Sequence, residues 1–296
     1  MRHFIDIDDV TDSELEEILE LSEKENLDAV LERQSVALLF QKPSTRTRHS
    51  SEAAVVQLGG HPVYTRPEEI GIDERETAED IAKTLSGYHS IIAARVFQHS
   101  ILERMAAASK VPVINLLSDS SHPIQTLADL LTIRQVFGKL NGINIAYIGD
   151  ANNVAYSLAV GANMCGANFV ISHPEVYGFD TNTQEQFISK KIEIHSVSNP
   201  VDVIKDADVI YTDAWYSMGQ EDEKEIRTQA FKNHQINEML MKQAKYNAIF
   251  MHCLPAHRGY EVTDEVLDGH QSKIWEQAEN RMHTMRGLLY FLKNNG

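Results

Sequence analysis

The stretch VALLFQKPSTRTRHSSE, residues 36–52, sets the pattern for the rest of the chain. Its apolar run Val36–Phe40, which begins with a β-branched valine, predicts a buried strand, which Pro43 interrupts. From Ser44 a helical pattern runs to about Leu58. A strand that passes directly into a helix is the repeating unit of parallel α/β sheets. Its turn presents the first N–H groups of the helix and the positive end of the helix dipole.

The side chains at the start of this helix suit a dianionic phosphate. Ser44, Thr45 and Thr47 offer hydroxyl donors, and Arg46 adds a planar, permanently charged guanidinium. The alternative is a helix cap at Ser44 with two solvated arginines. The helix dipole disfavours cations in the first turn, so their presence there favours an anion site. Because Arg46 and Arg48 point to different sides of a helix, we assign Arg46 to the ligand and Arg48 to a structural ion pair.

The composition is that of an acidic globular protein. Its 296 residues correspond to two domains of roughly 150 residues each, and 43% of them are hydrophobic. With 27 Lys and Arg against 43 Asp and Glu, the net charge of −16 disfavours nucleic acid and anionic membranes as partners. Three features predict a cytoplasmic protein. The chain has only two cysteines, it starts with an acidic segment without an apolar leader, and no apolar run approaches a length of about 18 residues.

Apolar segments alternate with helical patterns along the whole chain, which predicts parallel sheets covered by helices on both faces. After Val36–Phe40, strands are predicted at His61–Thr65, Ser90–Val96, Val111–Ser118, Asn144–Asp150, Asn168–His173, Ile192–Val197, Val209–Trp215 and Ala248–Leu254. Helices are predicted at Thr11–Lys24, Thr77–Tyr88, Ser100–Ser109, His122–Gly138 and about Ile274–Leu292, with a loop at Arg66–Glu76. The predicted fold class is α/β, with two doubly wound parallel-sheet domains joined by long helices. Residues 1–138 form the first domain, which residues 274–296 complete, and residues 139–273 form the second.

Polar side chains follow the predicted strands of the first domain, where open α/β sheets bind their ligands. Arg95 ends one strand and can serve as a ligand clamp or as an ion-pair partner. His122 and Gln125 lie at the start of the next long helix, in HPIQ. His122 can donate to a carbonyl oxygen, and Gln125 can bind an amide. The alternative for this motif is a helix cap with a solvated histidine.

The second domain has polar groups at corresponding strand ends. GDANNVA, residues 149–155, lacks the G-x-G-x-x-G pattern, so we do not predict a NAD site. Asn152 and Asn153 offer amides that can bind a zwitterion. Asp213 ends a predicted strand and is placed to bind an ammonium group, with a helix or turn cap as the alternative.

The segment HCLPAHRG, residues 252–259, brings two histidines and a cysteine together in the sequence. Because side chains alternate along a strand, His252 and Cys253 are expected to point in opposite directions, and we predict no metal site. Cys253 can instead be a thiol near the substrate, with Arg258 as an orienting charge.

Four motifs together resemble the aspartate/ornithine carbamoyltransferase family. They are FQKPSTRTR at 40–48, HPIQ at 122–125, DAWYSMGQE at 213–221 and HCLPAHRG at 252–259. The first two resemble the motifs of carbamoyltransferases in general, whereas SMG and HCLP resemble the ornithine-specific branch. The resemblance covers essentially the whole chain in collinear order.

The resemblance implies a carbamoyl-phosphate domain followed by an amino-acid domain, in a homotrimer without metal or organic cofactor. It implies attack of the δ-amine of L-ornithine on carbamoyl phosphate, giving L-citrulline and phosphate in arginine metabolism. The residues that match the family's carbamoyl-phosphate site are Ser44, Thr45, Arg46, Thr47, Arg95, His122, Gln125, Cys253, Leu254 and Arg281. Those that match its ornithine site are Asn153, Asp213, Ser217 and Met218. The implied catalytic residues are Arg46, Arg95, His122 and Cys253.

One departure from the family pattern concerns Glu69. It resembles a position at which members often carry a glutamine that reaches the site of a neighbouring subunit. An ionised carboxylate cannot donate a hydrogen bond to phosphate, so Glu69 is left out of the expected site. Two alternatives accompany the resemblance: a sibling carbamoyltransferase that acts on another amine, such as aspartate or putrescine, and a non-catalytic carbamoyltransferase-like subunit.

Overall fold

The structure is a computed structural model, and it describes residues 1–216 and 221–295. The chain divides into two compact units. The first comprises Met1–Leu131 and the residues from Glu279 onward, and the second comprises Thr132–Ala278. Each unit contains a parallel sheet with helices, so the predicted α/β fold class with two such domains is confirmed. Within the described residues, no helix is both long enough and apolar enough to cross a bilayer.

The first unit is built around a parallel sheet that has four strands in the described residues. They are β1 (Ser35–Phe40), β2 (His61–Thr65), β3 (Ile91–Arg95) and β4 (Val113–Leu117), in the spatial order β2-β1-β3-β4. From β1 the chain forms β2 on one side and then crosses to form β3 on the other. The carboxyl ends of β1 and β3 therefore flank the point at which the strand order reverses, where open α/β sheets bind ligands.

The helices of the first unit follow the strands, and two of their features follow from local sequence. They are α1 (Asp12–Glu23), α2 (Thr45–Gln57), α3 (Pro67–Ile70), α4 (Ala78–Leu85), α5 (His99–Ala108) and α6 (Pro123–Phe137). The hydroxyl of Thr77 accepts the N–H of Asp80 and so begins α4. The prediction of a loop throughout Arg66–Glu76 is wrong at α3, because Pro67 suits the first helical position and Glu69 pairs with Arg66.

The second unit contains a parallel sheet that has five strands in the described residues. They are β5 (Asn144–Ile148), β6 (Asn168–Ser172), β7 (His195–Val197), β8 (Val209–Thr212) and β9 (Ile249–His252), in the order β7-β6-β5-β8-β9. Here the strand order reverses between β5 and β8. The segments that follow these two strands contain Asn152 and Asp213, so the topology itself brings them together.

The remaining helices are α7 (Asn153–Met164), α8 (Thr181–Ser189), α9 (Val201–Ile204), α10 (Lys224–Phe231), α11 (Glu238–Met241), α12 (Asp264–Leu267) and α13 (Ile274–Asn295). All predicted strands are present, but several end earlier than predicted. Asp213 and Cys253 lie just beyond β8 and β9, because their side chains bind polar groups outside the sheet. The strand predicted at Ile192–Val197 shortens to the edge strand β7, whose first two residues are exposed.

The close packing of α13 on α1 within the first unit depends on Gly287. A Cβ atom added there would lie 2.3 Å from the Ser22 hydroxyl and 2.8 Å from the carbonyl oxygen of Ile18. Because a backbone atom cannot move aside, we expect Gly287→Ala to lower the free energy of unfolding by about 1–3 kcal/mol. Denaturant unfolding measures this loss, with Asn294→Ala at an exposed position of the same helix as control. Equal stability of the two variants would contradict the close contact.

Candidate active site

The turn between β1 and α2 gives the first unit a helix N-terminus with several polar donors. The Ser44 hydroxyl accepts the N–H of Thr47 at 3.4 Å and donates to the Thr47 hydroxyl at 3.1 Å. Ser44 thus caps the helix, as the alternative interpretation stated. The cap does not exclude an anion site, because the first-turn N–H groups of Thr45 and Arg46 are not used by the helical ladder and lie at its positive end.

Arg281 on α13 connects this turn to α6 inside the first unit. One guanidinium nitrogen, Nη1, donates to Oε1 of Gln125 at 2.5 Å, and Nη2 donates to the hydroxyl of Thr47 at 3.2 Å. All three side chains are buried. Arg281 and Gln125 are 156 residues apart in the sequence. The structure therefore brings together three residues predicted to hold carbamoyl phosphate.

His122 lies directly before α6 and is buried, as is Arg95 at the end of β3. Burial lowers the pKa of His122 well below 6.5, and the positive charges of Arg281 and Arg95 lower it further. The imidazole is therefore neutral at pH 7, with one nitrogen able to donate a hydrogen bond and the other able to accept one. A neutral donor beside two buried cations suits a ligand that carries a carbonyl group and negative charge.

The lowered pKa of His122 predicts a pH dependence of stability. Below about pH 6.5 the unfolded chain binds a proton on this imidazole, whereas the folded chain does not. Acidification through this range therefore favours unfolding, by up to about 1.4 kcal/mol per pH unit for the one histidine. Denaturant unfolding between pH 5 and pH 7 should show a shallower slope for His122→Asn. Part of the slope should remain, since burial also lowers the pKa of His234, to about 4. An unchanged slope in the variant would contradict the assignment.

Arg48 and Glu69 both form ion pairs with nearby side chains. The Arg48 guanidinium pairs with Glu52 at 2.9 Å and lies 3.8 Å from the ring centre of Tyr64. This confirms its prediction as a structural ion pair. Glu69 pairs with Arg66 at 3.0 Å at the start of α3, and both side chains are largely exposed.

In the second unit, Asp213 is the centre of a polar cluster beyond β8. Its carboxylate accepts hydrogen bonds from the Asn152 amide at 2.8 Å, from the Cys253 thiol at 3.0 Å and from the Ala214 N–H at 2.7 Å. The Asn152 oxygen in turn accepts the first N–H groups of α7 and fixes the amide. Oδ1 accepts two of these hydrogen bonds and Oδ2 accepts one, so a lone pair of Oδ2 remains for an ammonium group.

The loop that contains Cys253 is held by a buried histidine and carboxylate. Nδ1 of His252 accepts the N–H of Leu254 at 2.8 Å, which leaves Nε2 to donate to Glu261 at 3.3 Å. Both His252 and Glu261 are fully buried, and Glu261 also accepts the N–H of His257. Leu254 has φ of +59°, a left-handed conformation that costs a leucine about 1–2 kcal/mol. The hydrogen bonds of His252 hold the backbone in this conformation.

Comparison with known proteins places both units in one family. The model of the carbamoyl-P binding domain of aspartate/ornithine carbamoyltransferase matches residues 2–135. The model of its Asp/Orn binding domain matches residues 141–292.

The chain belongs to the aspartate/ornithine carbamoyltransferase family.

Two of its relatives in this family are named ornithine carbamoyltransferase. The protein of Haloquadratum walsbyi is 45% identical over 97% of this chain and 96% of its own length. That of Methanocaldococcus jannaschii is 42% identical over 98% of each chain. A solved structure described as ornithine carbamoyltransferase from Pyrococcus furiosus has a TM-score of 0.93 and 42% identity, and the match covers 100% of this chain and 98% of that one.

One expectation about the second unit of this family member is wrong. His252 and Cys253 do not point apart, because β9 ends at His252 and strand alternation stops there. Ligand atoms of Asp213, His252 and Cys253 lie within 4.8 Å of one another. Hydrogen bonds to Leu254 and Glu261 occupy both ring nitrogens of His252, and the Cys253 thiol donates to Asp213. The cluster is therefore organised by hydrogen bonds.

Of the residues predicted to bind ornithine, Asn153 and Asp213 are described in the second unit, together with Cys253 and Leu254. Asn153 begins α7, next to the capping residue Asn152. Ser217 and Met218 lie outside the residues that the structure describes. The expected set omitted Glu261, which contacts His252 nine residues away. The only sequence signal for it is an acidic residue shortly after an HCLP motif.

Proposed function

We propose that this protein transfers the carbamoyl group of carbamoyl phosphate to the δ-amine of L-ornithine, giving L-citrulline and phosphate in arginine metabolism. The observation that carries the proposal is its 42–45% identity, over nearly the full length, to relatives named ornithine carbamoyltransferase. The polar clusters described above supply residues for both substrates. The proposed reaction requires no metal or organic cofactor.

Carbamoyl phosphate is proposed to bind at the N-terminus of α2 in the first unit. The helix dipole, the hydroxyls of Ser44, Thr45 and Thr47, and the guanidinium of Arg46 hold the phosphate. The proposed partners of the carbamoyl group are Arg95, His122, Gln125 and Arg281. Cys253 and Leu254 are proposed as further contacts of carbamoyl phosphate. A buried, charged donor set of this kind stabilises an anion without reorganising during the reaction.

L-Ornithine is proposed to bind through Asp213, with its α-ammonium group on the carboxylate. Asn152 and Cys253 hold that carboxylate in place by donating to its two oxygens. Asn153, Ser217 and Met218 are the further proposed contacts. The fixed zwitterion leaves the δ-amine unbound at the far end of the ligand. Positioning of this kind supplies about 7–11 kcal/mol of the barrier reduction.

The proposed chemistry is direct attack by the neutral δ-amine on the carbamoyl carbon. A free amine of this type has a pKa of about 10.4, so the site selects its neutral form. A C–N bond forms, and the carbonyl oxygen gains negative charge, which Arg95, His122 and the Thr47 hydroxyl stabilise. The tetrahedral intermediate then expels phosphate by breaking the C–O bond. The departing phosphate accepts a proton from the attacking nitrogen. The uncharged ureido group of citrulline remains.

The assembly is proposed to be a homotrimer in the cytoplasm. A measurement of molar mass in solution tests the trimer, with a multiple of three chains as the acceptable larger form. An equilibrium mass of one or two chains would overturn it.

The direct test of the function is production of citrulline by the purified protein from carbamoyl phosphate and ornithine. Aspartate, putrescine and N-acetylornithine are compared as alternative amines in the same assay. We expect ornithine to be the preferred acceptor. Preference for another amine would establish a sibling activity, and the absence of transfer to every amine would establish a non-catalytic subunit.

A further inference from the structure

Asp129 lies one helical turn beyond Gln125 on α6, and both side chains are buried. The Gln125 amide nitrogen donates to the Asp129 carboxylate at 2.8 Å. On the other side, the Gln125 amide oxygen accepts from Arg281. Gln125 is thus held between an acceptor and a donor, and Asp129 does not belong to the proposed contacts of either substrate.

The two neighbours leave the Gln125 amide only one orientation. A guanidinium group has donors but no acceptor, so Arg281 must face the amide oxygen. The carboxylate of Asp129 accepts the amide N–H, so it must face the nitrogen. This assignment follows from the chemistry of the neighbours, although the oxygen and nitrogen of an amide are nearly alike in shape.

The orientation has a consequence for the substrate, and here the inference rests on the proposed function. An amide oxygen has two lone pairs, so that of Gln125 can accept from Arg281 and also from a –NH₂ group of a ligand. Carbamoyl phosphate carries such a group. Acetyl phosphate has nearly the same shape, but its methyl group cannot donate. We propose that Asp129 is a positioning residue that holds the Gln125 oxygen toward the carbamoyl –NH₂ and so selects carbamoyl over other acyl phosphates.

Without the Asp129 carboxylate, the buried Gln125 N–H would lose its acceptor. Leaving a buried donor unsatisfied costs about 1–3 kcal/mol. Only the Arg281 contact would then oppose rotation of the amide toward another acceptor. A rotated amide presents –NH₂ to the carbamoyl –NH₂, so two donors face each other. The same rotation does not change the contact with the methyl group of acetyl phosphate.

The test compares carbamoyl phosphate with acetyl phosphate in Asp129→Leu, which keeps the volume but removes the acceptor. We expect the KM for carbamoyl phosphate to rise about tenfold, whereas the inhibition constant of acetyl phosphate stays unchanged. Asp129→Asn, which retains an oxygen acceptor, should lie between wild type and the leucine variant. Thr126→Val, at another buried position of α6, is the control and should leave the ratio of the two constants unchanged.

Equal weakening of both ligands in Asp129→Leu, or no change in either, would overturn the positioning role. Thermal unfolding identifies a variant that does not fold. In that event the two affinities of the wild-type protein provide the test. Equal affinity for carbamoyl phosphate and acetyl phosphate would also overturn the inference. If wild-type protein forms no citrulline, the proposed function fails, whereas an active enzyme with an unchanged ratio overturns only the role of Asp129.

Discussion

Replacing Arg46 by alanine is expected to lower kcat about 10³-fold while the protein remains folded. Arg46 lies in the first turn of α2, where its guanidinium is proposed to bind the phosphate of carbamoyl phosphate. Charge builds up on this phosphate as the C–O bond breaks, so the interaction is stronger in the transition state than in the bound substrate. Steady-state kinetics with both substrates measures the loss, and circular dichroism verifies the fold.

Arg48→Ala is the matched control, since it removes the same type of side chain two positions further along α2. Its ion pair with Glu52 and its contact with the Tyr64 ring should contribute about 1 kcal/mol of stability in total. We therefore expect a small decrease in stability and an unchanged kcat. Near-normal turnover of Arg46→Ala, or an equal loss in the two variants, would contradict the phosphate role of Arg46.

The second large effect is expected for Asp213→Asn, which should raise the KM for ornithine by about 10–100-fold. A hydrogen bond to a charged group contributes about 1.5–3 kcal/mol, and the neutral amide cannot attract the α-ammonium group in this way. The affinity for carbamoyl phosphate should be unchanged, which a direct binding measurement with this substrate alone determines.

Asp202→Asn, at an exposed position of α9, is the control for Asp213→Asn and should leave both constants unchanged. If Asp213→Asn weakens both substrates equally, Asp213 has a general structural role. In that case the hydrogen bonds from Asn152, Cys253 and Ala214 would be its whole contribution.

Local patterns are sufficient to predict the sheet of the first unit and the helix starts beside it. The strand Val36–Phe40, the cap at Ser44 and the helix start at Pro123 each depend on residues close together in the chain. Arg281 is different, because no local signal connects it to Gln125 and Thr47. It entered the expected set only through the family resemblance, and the structure shows the contact.

Other features depend on three-dimensional contacts that the sequence does not display. Asn152 and Asn153 are neighbours with the same side chain, and only the fold shows that Asn152 contacts Asp213. Strand alternation does not separate His252 from Cys253, because β9 ends at His252. The contact between Asp129 and Gln125 can be predicted from the sequence, because side chains four residues apart meet on one face of a helix.

The first unit is not one continuous segment, since the residues from Glu279 onward, which include most of α13, belong to it. Gly287 packs against α1, and Arg281 binds Gln125 and Thr47, so this late segment supplies both core and site. During synthesis from the N-terminus, the second unit is therefore complete before the first. Until the residues from Glu279 onward leave the ribosome, the first unit exposes apolar surface, and nascent chains are then open to aggregation or chaperone binding.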